Sequence, residues 1–192
     1  MSNYNYIRFS DAEKPFVTNF VGVDKGQYLK PPKGYKLYSR AFIMEQTKEY
    51  FVKKNPYELA KELGLVLRES NESDMDAIKE LENKAFDPIA GLIDEQAKGI
   101  IYVLEKNGVI VGKVNLDINE RFAYLDRVCI ANTQRGFGYG TILEELFLWL
   151  ANEKQSKKKY MWVVETNTNA HKFHQKFGFT MSNKCSWIFI KE

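Results

Sequence analysis

The sequence predicts an α/β protein with a mixed, mainly antiparallel central sheet, helices on both sides of it, and a β-rich N-terminal extension. Three observations support this fold class. From Leu65 onward, apolar strand patterns and amphipathic helix patterns follow one another in the order βααβββαβαββ. An Asn-Gly pair at residues 107–108 separates two apolar runs, which is typical of a hairpin. A glycine-rich segment at residues 134–140 connects a strand pattern to a helix pattern.

Residues 1–64 form the predicted extension. Strands are expected at residues 4–9, 16–23 and 35–44, with turn-rich segments between them. The pair Asn55-Pro56 then begins a helix, because asparagine is a good cap and proline suits the first helical position. No pattern connects this segment to chemistry, and three roles stay open. It could be an extension packed on the main sheet, a dimerisation element, or a wall of a substrate pocket.

Residues 65–192 form the predicted main domain. It begins with a strand at residues 65–68, followed by a helix that Ser73 caps. One face of this helix is apolar and carries Met75, Ile78, Leu81 and Ala85. Asp87-Pro88 begins a second short helix that ends near Gly99.

The rest of the main domain alternates strands and helices. The helix after the glycine-rich segment has an apolar face formed by Ile142, Leu143, Leu146, Phe147 and Leu150. The predicted elements are, in order, strands at 100–105, 109–116 and 123–130, a helix at 141–152, a strand at 160–166, a short helix, and a closing hairpin at 180–186.

The glycine-rich segment reads Gln-Arg-Gly-Phe-Gly-Tyr-Gly. Gly138 and Gly140 let the chain turn and let a ligand approach the main chain without a Cβ in the way. The free amides and the positive end of the helix dipole favour a polyanion such as a pyrophosphate. Arg135 adds a fixed charge with a fork of donors. The segment is therefore predicted to bind phosphate.

The spacing of its glycines separates this segment from two common phosphate loops. Gly136, Gly138 and Gly140 do not fit the G-x-G-x-x-G dinucleotide fingerprint, and no lysine follows Gly140 as a P-loop requires. The pattern that fits is R-x-x-G-x-G, starting at Arg135. It resembles the pyrophosphate-binding motif of the GCN5-related N-acetyltransferase (GNAT) superfamily, which uses it to hold coenzyme A.

A second segment strengthens the resemblance, which extends over residues 65–192. The family signature N-x-x-A-x-x-[LF]-Y-x-K-x-G-F follows its fifth strand, and this chain departs from it at His174, where the tyrosine stands. The positions that match are Asn167, Ala170, Phe173, Lys176, Gly178 and Phe179.

The resemblance implies that acetyl-CoA is the co-substrate and that it lies where the fourth and fifth strands separate. Main-chain groups of Val128, Cys129 and Ile130 would pair with the pantetheine arm, and one amide would stabilise the oxyanion. Cys129 is interpreted as a small buried residue rather than a nucleophile, since no base partner is apparent. The remaining predicted cofactor-binding residues are Arg135, Gly136, Phe137, Gly138, Tyr139, Gly140, Thr141 and Asn167.

Direct transfer to an amine requires that the amine lose a proton, because it is mostly protonated at neutral pH. Asp126 lies on the fourth strand, just before the residues expected to contact coenzyme A, where the family often places an acidic residue. Glu165 lies near the end of the fifth strand. Either carboxylate could take the proton through a water, or could simply attract a cationic amine. The alternative for both is a solvated or arginine-paired carboxylate.

His174 replaces the tyrosine that is understood to protonate the departing thiolate in the family. A free imidazole titrates near 6.5, so about a quarter is protonated at pH 7, and the neutral N–H can still donate to sulfur. The alternative is a histidine on the helix surface, with Tyr139 or Tyr160 as the acid or with unaided departure. His171, one turn earlier, is expected to be exposed.

Composition limits the remaining possibilities. A chain of 192 residues suffices for one domain with a real core, and 44% hydrophobic with 14% aromatic residues excludes disorder. A net charge of +3 is too weak to indicate nucleic acid. No signal peptide or membrane-length apolar run is recognised, and two cysteines make no disulfide framework, which predicts a reducing cytoplasm. His171 and His174 lack a third ligand, so no metal is expected.

The predicted function is therefore acetyl-CoA-dependent N-acetylation of a small-molecule or peptide amine. Residues 86–99 and 180–186 are expected to shape the acceptor pocket, and neither carries a pattern that identifies the acceptor. The alternative is a catalytically weak or inactive CoA-binding regulatory module, which the missing tyrosine favours. A nucleic-acid-associated protein is a third option, suggested by the lysines at 154–159 and opposed by the small net charge. A homodimer stays open.

Overall fold

The computed structural model describes residues 6–8, 17–86 and 99–191, with side chains from Val23 onward. By their internal contacts the residues form two compact units. The first unit is Met1–Thr47 with Met161–Glu192, and the second is Lys48–Tyr160. The boundary at residue 64 stays a sequence prediction. The second short helix, expected from Asp87 to near Gly99, falls on residues 87–98, which lie outside the described residues.

The described segments contain nine strands and four α-helices, and none of these helices is long and apolar enough to cross a membrane. The predicted α/β class with a mainly antiparallel sheet is confirmed. The elements are β1 (Tyr6–Arg8), β2 (Val17–Asp24), β3 (Tyr35–Gln46), α1 (Pro56–Glu62), β4 (Val66–Glu69), α2 (Met75–Ala85), β5 (Ile100–Lys106), β6 (Val109–Ile118), β7 (Ala123–Ile130), α3 (Tyr139–Glu153), β8 (Lys159–Val164), α4 (Thr168–Gln175) and β9 (Phe179–Lys191).

In the first unit the last strand is inserted between strands of the N-terminal extension. The strand order is β1-β2-β9-β3-β8, and β9 pairs antiparallel with β2 on one side and β3 on the other. Its register with β3 runs from Tyr35 opposite Lys191 to Gln46 opposite Phe179. The extension is therefore hydrogen-bonded into a sheet, rather than packed on one face of it.

The predicted closing hairpin at residues 180–186 is wrong, because β9 is one continuous strand. The turn-prone run Ser182-Asn183-Lys184 falls where the register with β3 shifts, between the pairs Phe42–Cys185 and Met44–Met181. Lys184 instead pairs with Asp24 of β2. Residues that favour a turn thus form a local irregularity within a paired strand.

The core of the first unit is aromatic. Five residues from β2, β3 and β9 pack together with at most 3% of their surface exposed: Val23, Phe42, Cys185, Trp187 and Phe189. Burying each large apolar side chain contributes roughly 1.5–3 kcal/mol. Burial also raises the pKa of the Cys185 thiol, so this free cysteine is a packing residue.

The second unit has the strand order β7-β6-β5-β4, with every neighbouring pair antiparallel. Asn107 and Gly108 both have positive φ, +52° and +78°, as a two-residue hairpin turn between β5 and β6 requires. The predicted hairpin is confirmed.

Helix α3 provides the main apolar face of the second unit. Ile142, Leu143, Leu146 and Phe147 are fully buried as predicted, whereas Leu150 is half-buried. Glu144 and Glu145 are also buried, which the apolar pattern does not predict. The Tyr50 hydroxyl donates to Glu145 Oε1 at 2.7 Å. Burial, followed by this bond, raises the pKa of Tyr50 to about 12.

The predicted cap of α2 is corrected from Ser73 to its neighbours. A 3₁₀ turn at Glu72–Asp74 leads into α2, and the Asn71 side chain accepts from the Ser73 N–H at 2.9 Å. Asp74 Oδ2 accepts in return from the Asn71 N–H at 2.8 Å, which completes a capping box. Arg68 of β4 donates to both Asp74 oxygens, at 2.7 and 3.0 Å.

The Asp74 pair makes stability depend on pH. Hydrogen bonds from Arg68 and Asn71 lower the pKa of Asp74 from 3.8 to about 2. Folding therefore favours the ionised carboxylate, so its contribution is complete above about pH 4 and is lost as the pH falls toward 2. We expect Asp74→Asn to lower the melting temperature at neutral pH, and to do so less as the pH falls through this window. Circular dichroism would measure both.

Asp76→Asn, in the exposed first turn of α2, is the matched control and should have a smaller effect. A difference between Asp74→Asn and wild type that stays constant from pH 7 to pH 2 would contradict the stabilising role of the ionised pair.

Candidate active site

The predicted phosphate loop lies between β7 and α3 in the second unit. After β7, residues Asn132–Gln134 form a 3₁₀ turn, and Gly136 and Gly138 take positive φ values of +87° and +83°. Gly138 is the N-cap of α3, and no side chain among the described residues caps this helix. The Thr141 N–H donates to the Gly138 carbonyl at 2.9 Å, so the amides of Tyr139 and Gly140 are the ones at the start of α3 that are left for a ligand or solvent.

The space in front of the loop is open. A Cβ built on Gly136 or on Gly138 meets no atom within 4 Å in the described structure. The Arg135 side chain is exposed, and its Nε donates to the Ile130 carbonyl at 3.2 Å, which holds the guanidinium near the end of β7. Open space, helix dipole and cation together can accommodate a pyrophosphate.

A second cation lies at this loop that sequence reasoning missed. Lys106, the last residue of β5, directs its Nζ to the Tyr139 hydroxyl at 2.9 Å and to Gln134 Oε1 at 3.5 Å. The ammonium also lies 5.9 Å from the ring centroid of Phe137, a residue that is 62% exposed. A lysine next to an Asn-Gly turn resembles any solvated hairpin residue, so the sequence carries no signal for this contact.

Strand β7 carries a β-bulge at the predicted base. Val114 pairs with Val128 and Leu116 with Leu125, so Asp126 and Arg127 together lie opposite Asn115. Side chains of a strand normally point to opposite faces in turn. At the bulge this alternation is interrupted, so the side chains of Asp126 and Arg127 lie on the same face of the sheet. Asp126 accepts from the Asn115 amide at 3.5 Å and from the Tyr124 hydroxyl at 3.4 Å.

A buried ionic cluster lies on the same face of β6 and β7. Lys113 is fully buried, and its Nζ forms an ion pair with Glu82 of α2 and donates to Asn115 Oδ1 at 2.9 Å. Glu82 also contacts Arg127 at 3.4 Å. In the sequence, the only sign of this cluster is that Lys113 is a charged residue within an apolar strand. That sign does not indicate which residue pairs with it.

The predicted coenzyme strand is confirmed as a strand, with Val128, Cys129 and Ile130 at its end. Cys129 pairs with Lys113 across the sheet and is 6% exposed. Burial raises the pKa of its thiol to about 12, so the thiol stays protonated at neutral pH. This agrees with a buried strand residue rather than a nucleophile.

In the first unit, Glu165 is paired with an arginine. Arg40 Nε donates to Oε2 at 2.8 Å, the Arg40 NH2 group contacts Oε1, and the Glu165 N–H donates to the Arg40 carbonyl at 2.8 Å. The guanidinium also lies 5.1 Å from the Trp187 ring. Of the alternatives for Glu165, the arginine-paired carboxylate is the arrangement present.

Helix α4 carries His174 and is capped by Asn167. The Asn167 side chain caps the helix by accepting from the Ala170 N–H at 3.1 Å. His174 is only 4% exposed, and its ring lies 5.1 Å from Phe173 and 6.4 Å from Phe179. The surface alternative for His174 is therefore excluded.

The predicted exposure of His171 is wrong. This residue is 7% exposed, and its Nε2 lies 3.1 Å from the Val164 carbonyl, to which it donates. The helix is short and packs against β9, so two residues three apart can both lie on its inner side.

One surface cavity of about 480 Å³ opens at the turn between β6 and β7, and no predicted site residue lines it. Nor do the described residues include a group of three His, Cys, Asp or Glu side chains placed to hold a metal ion. The cavity is lined by Ile118, Asn119, Glu120, Arg121, Phe122 and Lys154.

Comparison with known proteins identifies one family. The model of the acetyltransferase (GNAT) family matches residues 58–179, which include the phosphate loop and α4. No curated protein sequence matches this chain.

Solved structures share the fold at low sequence identity. A protein from Novosphingobium aromaticivorans DSM 12444, assigned to the GNAT family, is 14% identical over 94% of this chain and 77% of its own, with a TM-score of 0.71. Arabidopsis thaliana Naa50, in complex with the bisubstrate analogue CoA-Ac-MVNAL, is 17% identical over 67% of this chain and 99% of its own, with a TM-score of 0.51. AAC(6')-Iy, in complex with CoA-S-monomethyl-acetylneamine, is 18% identical over 60% and 90%, with a TM-score of 0.50.

Proposed function

Because the chain belongs to the GNAT family of acetyltransferases, we propose that it is an acetyl-CoA-dependent N-acetyltransferase that passes the acetyl group directly from the thioester to an amine. The loop at residues 135–140 carries this proposal. Gly136 and Gly138 have the positive φ values that a turn around an anion needs, and the helix that follows has no side-chain cap among the described residues.

Coenzyme A would be held by main chain more than by side chains. The pyrophosphate would accept from amides of the loop and from Tyr139 and Gly140 in the first turn of α3, with Arg135 as the cation. Thr141 would contribute through its hydroxyl, because its N–H already donates to the Gly138 carbonyl. Main-chain groups at Val128, Cys129 and Ile130 would pair with the pantetheine arm. One of these amides would donate to the thioester oxygen and stabilise the negative charge that forms as the amine attacks.

Asp126 is our first choice for the group that receives the amine proton. The bulge in β7 places it opposite Asn115, and the hydrogen bonds from the Asn115 amide and the Tyr124 hydroxyl orient the carboxylate. It would attract a cationic amine and accept one proton, directly or through a water. Glu165 is the second candidate, and protonating it would weaken the bidentate pair with Arg40.

His174 is our choice for the group that protonates the coenzyme A thiolate as the carbon–sulfur bond breaks. Its burial on α4 gives the imidazole a defined position, as an acid catalyst requires. Tyr160 is a weaker candidate, because burial raises the pKa of its hydroxyl. Tyr139 stays the other candidate, because its hydroxyl accepts from Lys106 and keeps its own O–H to donate.

The acceptor class is the broadest part of the proposal. Two solved neighbours bind bisubstrate analogues in which coenzyme A is joined to an acetylneamine or to a peptide. A small-molecule amine and a peptide N-terminus are therefore the two acceptor classes to compare.

We expect release of free thiol from acetyl-CoA only when a suitable amine is present. The assay would compare aminoglycosides, polyamines and amino acids with short peptides bearing free or blocked N-termini. Release with one class identifies the acceptor. Tight binding of acetyl-CoA without thiol release in any arm would instead favour the CoA-binding module that lacks transfer activity.

A further inference from the structure

Lys106 joins the β5–β6 hairpin to the phosphate loop. It contacts the loop on both sides of Gly136 and Gly138, through Gln134 before them and Tyr139 after them. Its ammonium lies 5.5 Å from the Tyr139 ring and 5.9 Å from the Phe137 ring. A cation from a separate strand is therefore fixed at the loop by four contacts to three residues.

The ammonium retains the capacity to bind an anion. A lysine ammonium has three N–H donors. Among the described residues, only Gln134 and Tyr139 accept from Lys106, so one donor is left, and Lys106 forms no ion pair with a described carboxylate. Its charge adds to that of Arg135 and of the α3 N-terminus, and all three favour an anion at the same loop.

We propose that Lys106 is a second phosphate-binding cation of this site, and that it donates its remaining N–H to a phosphate group of coenzyme A. The proposal rests on the proposed function, since it assumes that the loop binds this nucleotide. Coenzyme A carries two kinds of phosphate, the pyrophosphate and the 3′-phosphate on its ribose. Lys106 lies beside the loop rather than in it, and its ammonium can bind either kind of phosphate.

The test compares acetyl-CoA with acetyl-dephospho-CoA, which lacks the 3′-phosphate, by calorimetric titration of wild type and Lys106→Met. Loss of a charge-assisted hydrogen bond should weaken acetyl-CoA binding about ten- to hundredfold. If the pyrophosphate is bound, the same loss appears with both ligands. If the 3′-phosphate is bound, the loss appears with acetyl-CoA alone. Either result supports the proposal and identifies the group.

Three controls separate charge from structure. Lys106→Arg should restore most of the affinity, and Lys154→Met, which removes an exposed cation at the other end of α3, should leave it unchanged. Lys106→Met should also show a weaker dependence of affinity on salt concentration than wild type, because one charge is missing.

The proposal is overturned if Lys106→Met binds both ligands as wild type does. It is also overturned if affinity falls but its salt dependence is unchanged and Lys106→Arg does not restore it, which would assign Lys106 to loop structure alone. Failure of wild type to bind acetyl-CoA would overturn the proposed function itself, so the two failures are distinguishable.

Discussion

A Gly138→Val variant is expected to lose acetyl-CoA binding while the rest of the fold persists. Gly138 takes φ +83°, and the space in front of it is open, so a valine side chain would both strain the turn and enter the volume assigned to the pyrophosphate. Loss of two or more charge-assisted hydrogen bonds predicts an affinity reduced by about 100-fold or more. Calorimetric titration with acetyl-CoA would measure it.

Gly64→Val is the matched control. Gly64 also has positive φ, +70°, with open space around its Cβ position, and it lies in the same unit outside the loop. Both variants should lose about 1–2 kcal/mol of stability, the cost of a left-handed conformation for a residue with a Cβ. Only Gly138→Val should lose the ligand. A folded Gly138→Val protein with wild-type affinity would remove the basis of the coenzyme A assignment.

His174→Ala is expected to lower turnover by about 10²–10⁴-fold, or slightly less, with acetyl-CoA affinity nearly unchanged. Turnover must be measured where the chemical step limits the rate, and affinity by separate titration. His174→Tyr should retain activity and extend it to higher pH, because a free phenol stays protonated up to about pH 10 and a free imidazole only to about 6.5.

His171→Ala provides the comparison for packing, since it removes an equally buried imidazole one turn earlier on the same helix. Both alanine variants should melt at a lower temperature, and only His174→Ala should lose turnover at saturating substrate. Wild-type turnover in His174→Ala would move the acid to Tyr139 or Tyr160, or would indicate that the thiolate leaves unaided.

Local signals in the sequence were sufficient for most elements. Asn107-Gly108 specifies a tight hairpin because both residues tolerate positive φ, and Asn55-Pro56 begins α1 as its chemistry indicates. The same kind of signal was misleading at Ser73. Asn71 and Asp74 cap each other's backbone N–H groups in a capping box, and this arrangement takes the place of a cap by Ser73 alone. The presence of most helices and strands could thus be predicted from local sequence. Which residue caps a helix could not, because it depends on the residues around it.

Contacts between distant segments could not be predicted from local patterns. Residues 182–184 favour a turn by composition, yet they stay within β9, because Lys184 pairs with Asp24 of β2 and the residues on either side of them pair with β3. The Arg40–Glu165 pair and the reach of Lys106 to Tyr139 join segments with no shared sequence pattern. The loop could be recognised because its function requires a contiguous motif. Its second cation could not, because an ammonium can come from any neighbouring strand.

Because β9 lies between β2 and β3, the sheet of the first unit cannot be completed until the end of the chain has been synthesised. Residues 48–160 are contiguous, so every segment of the second unit is translated before β9. In the first unit, strands that are translated first pair with the strand that is translated last. Tyr35 of β3, for example, gains its partner only when Lys191 of β9 has been made. Until then β2 and β3 have no β9 to pair with, and their unpaired edges are exposed to other nascent chains.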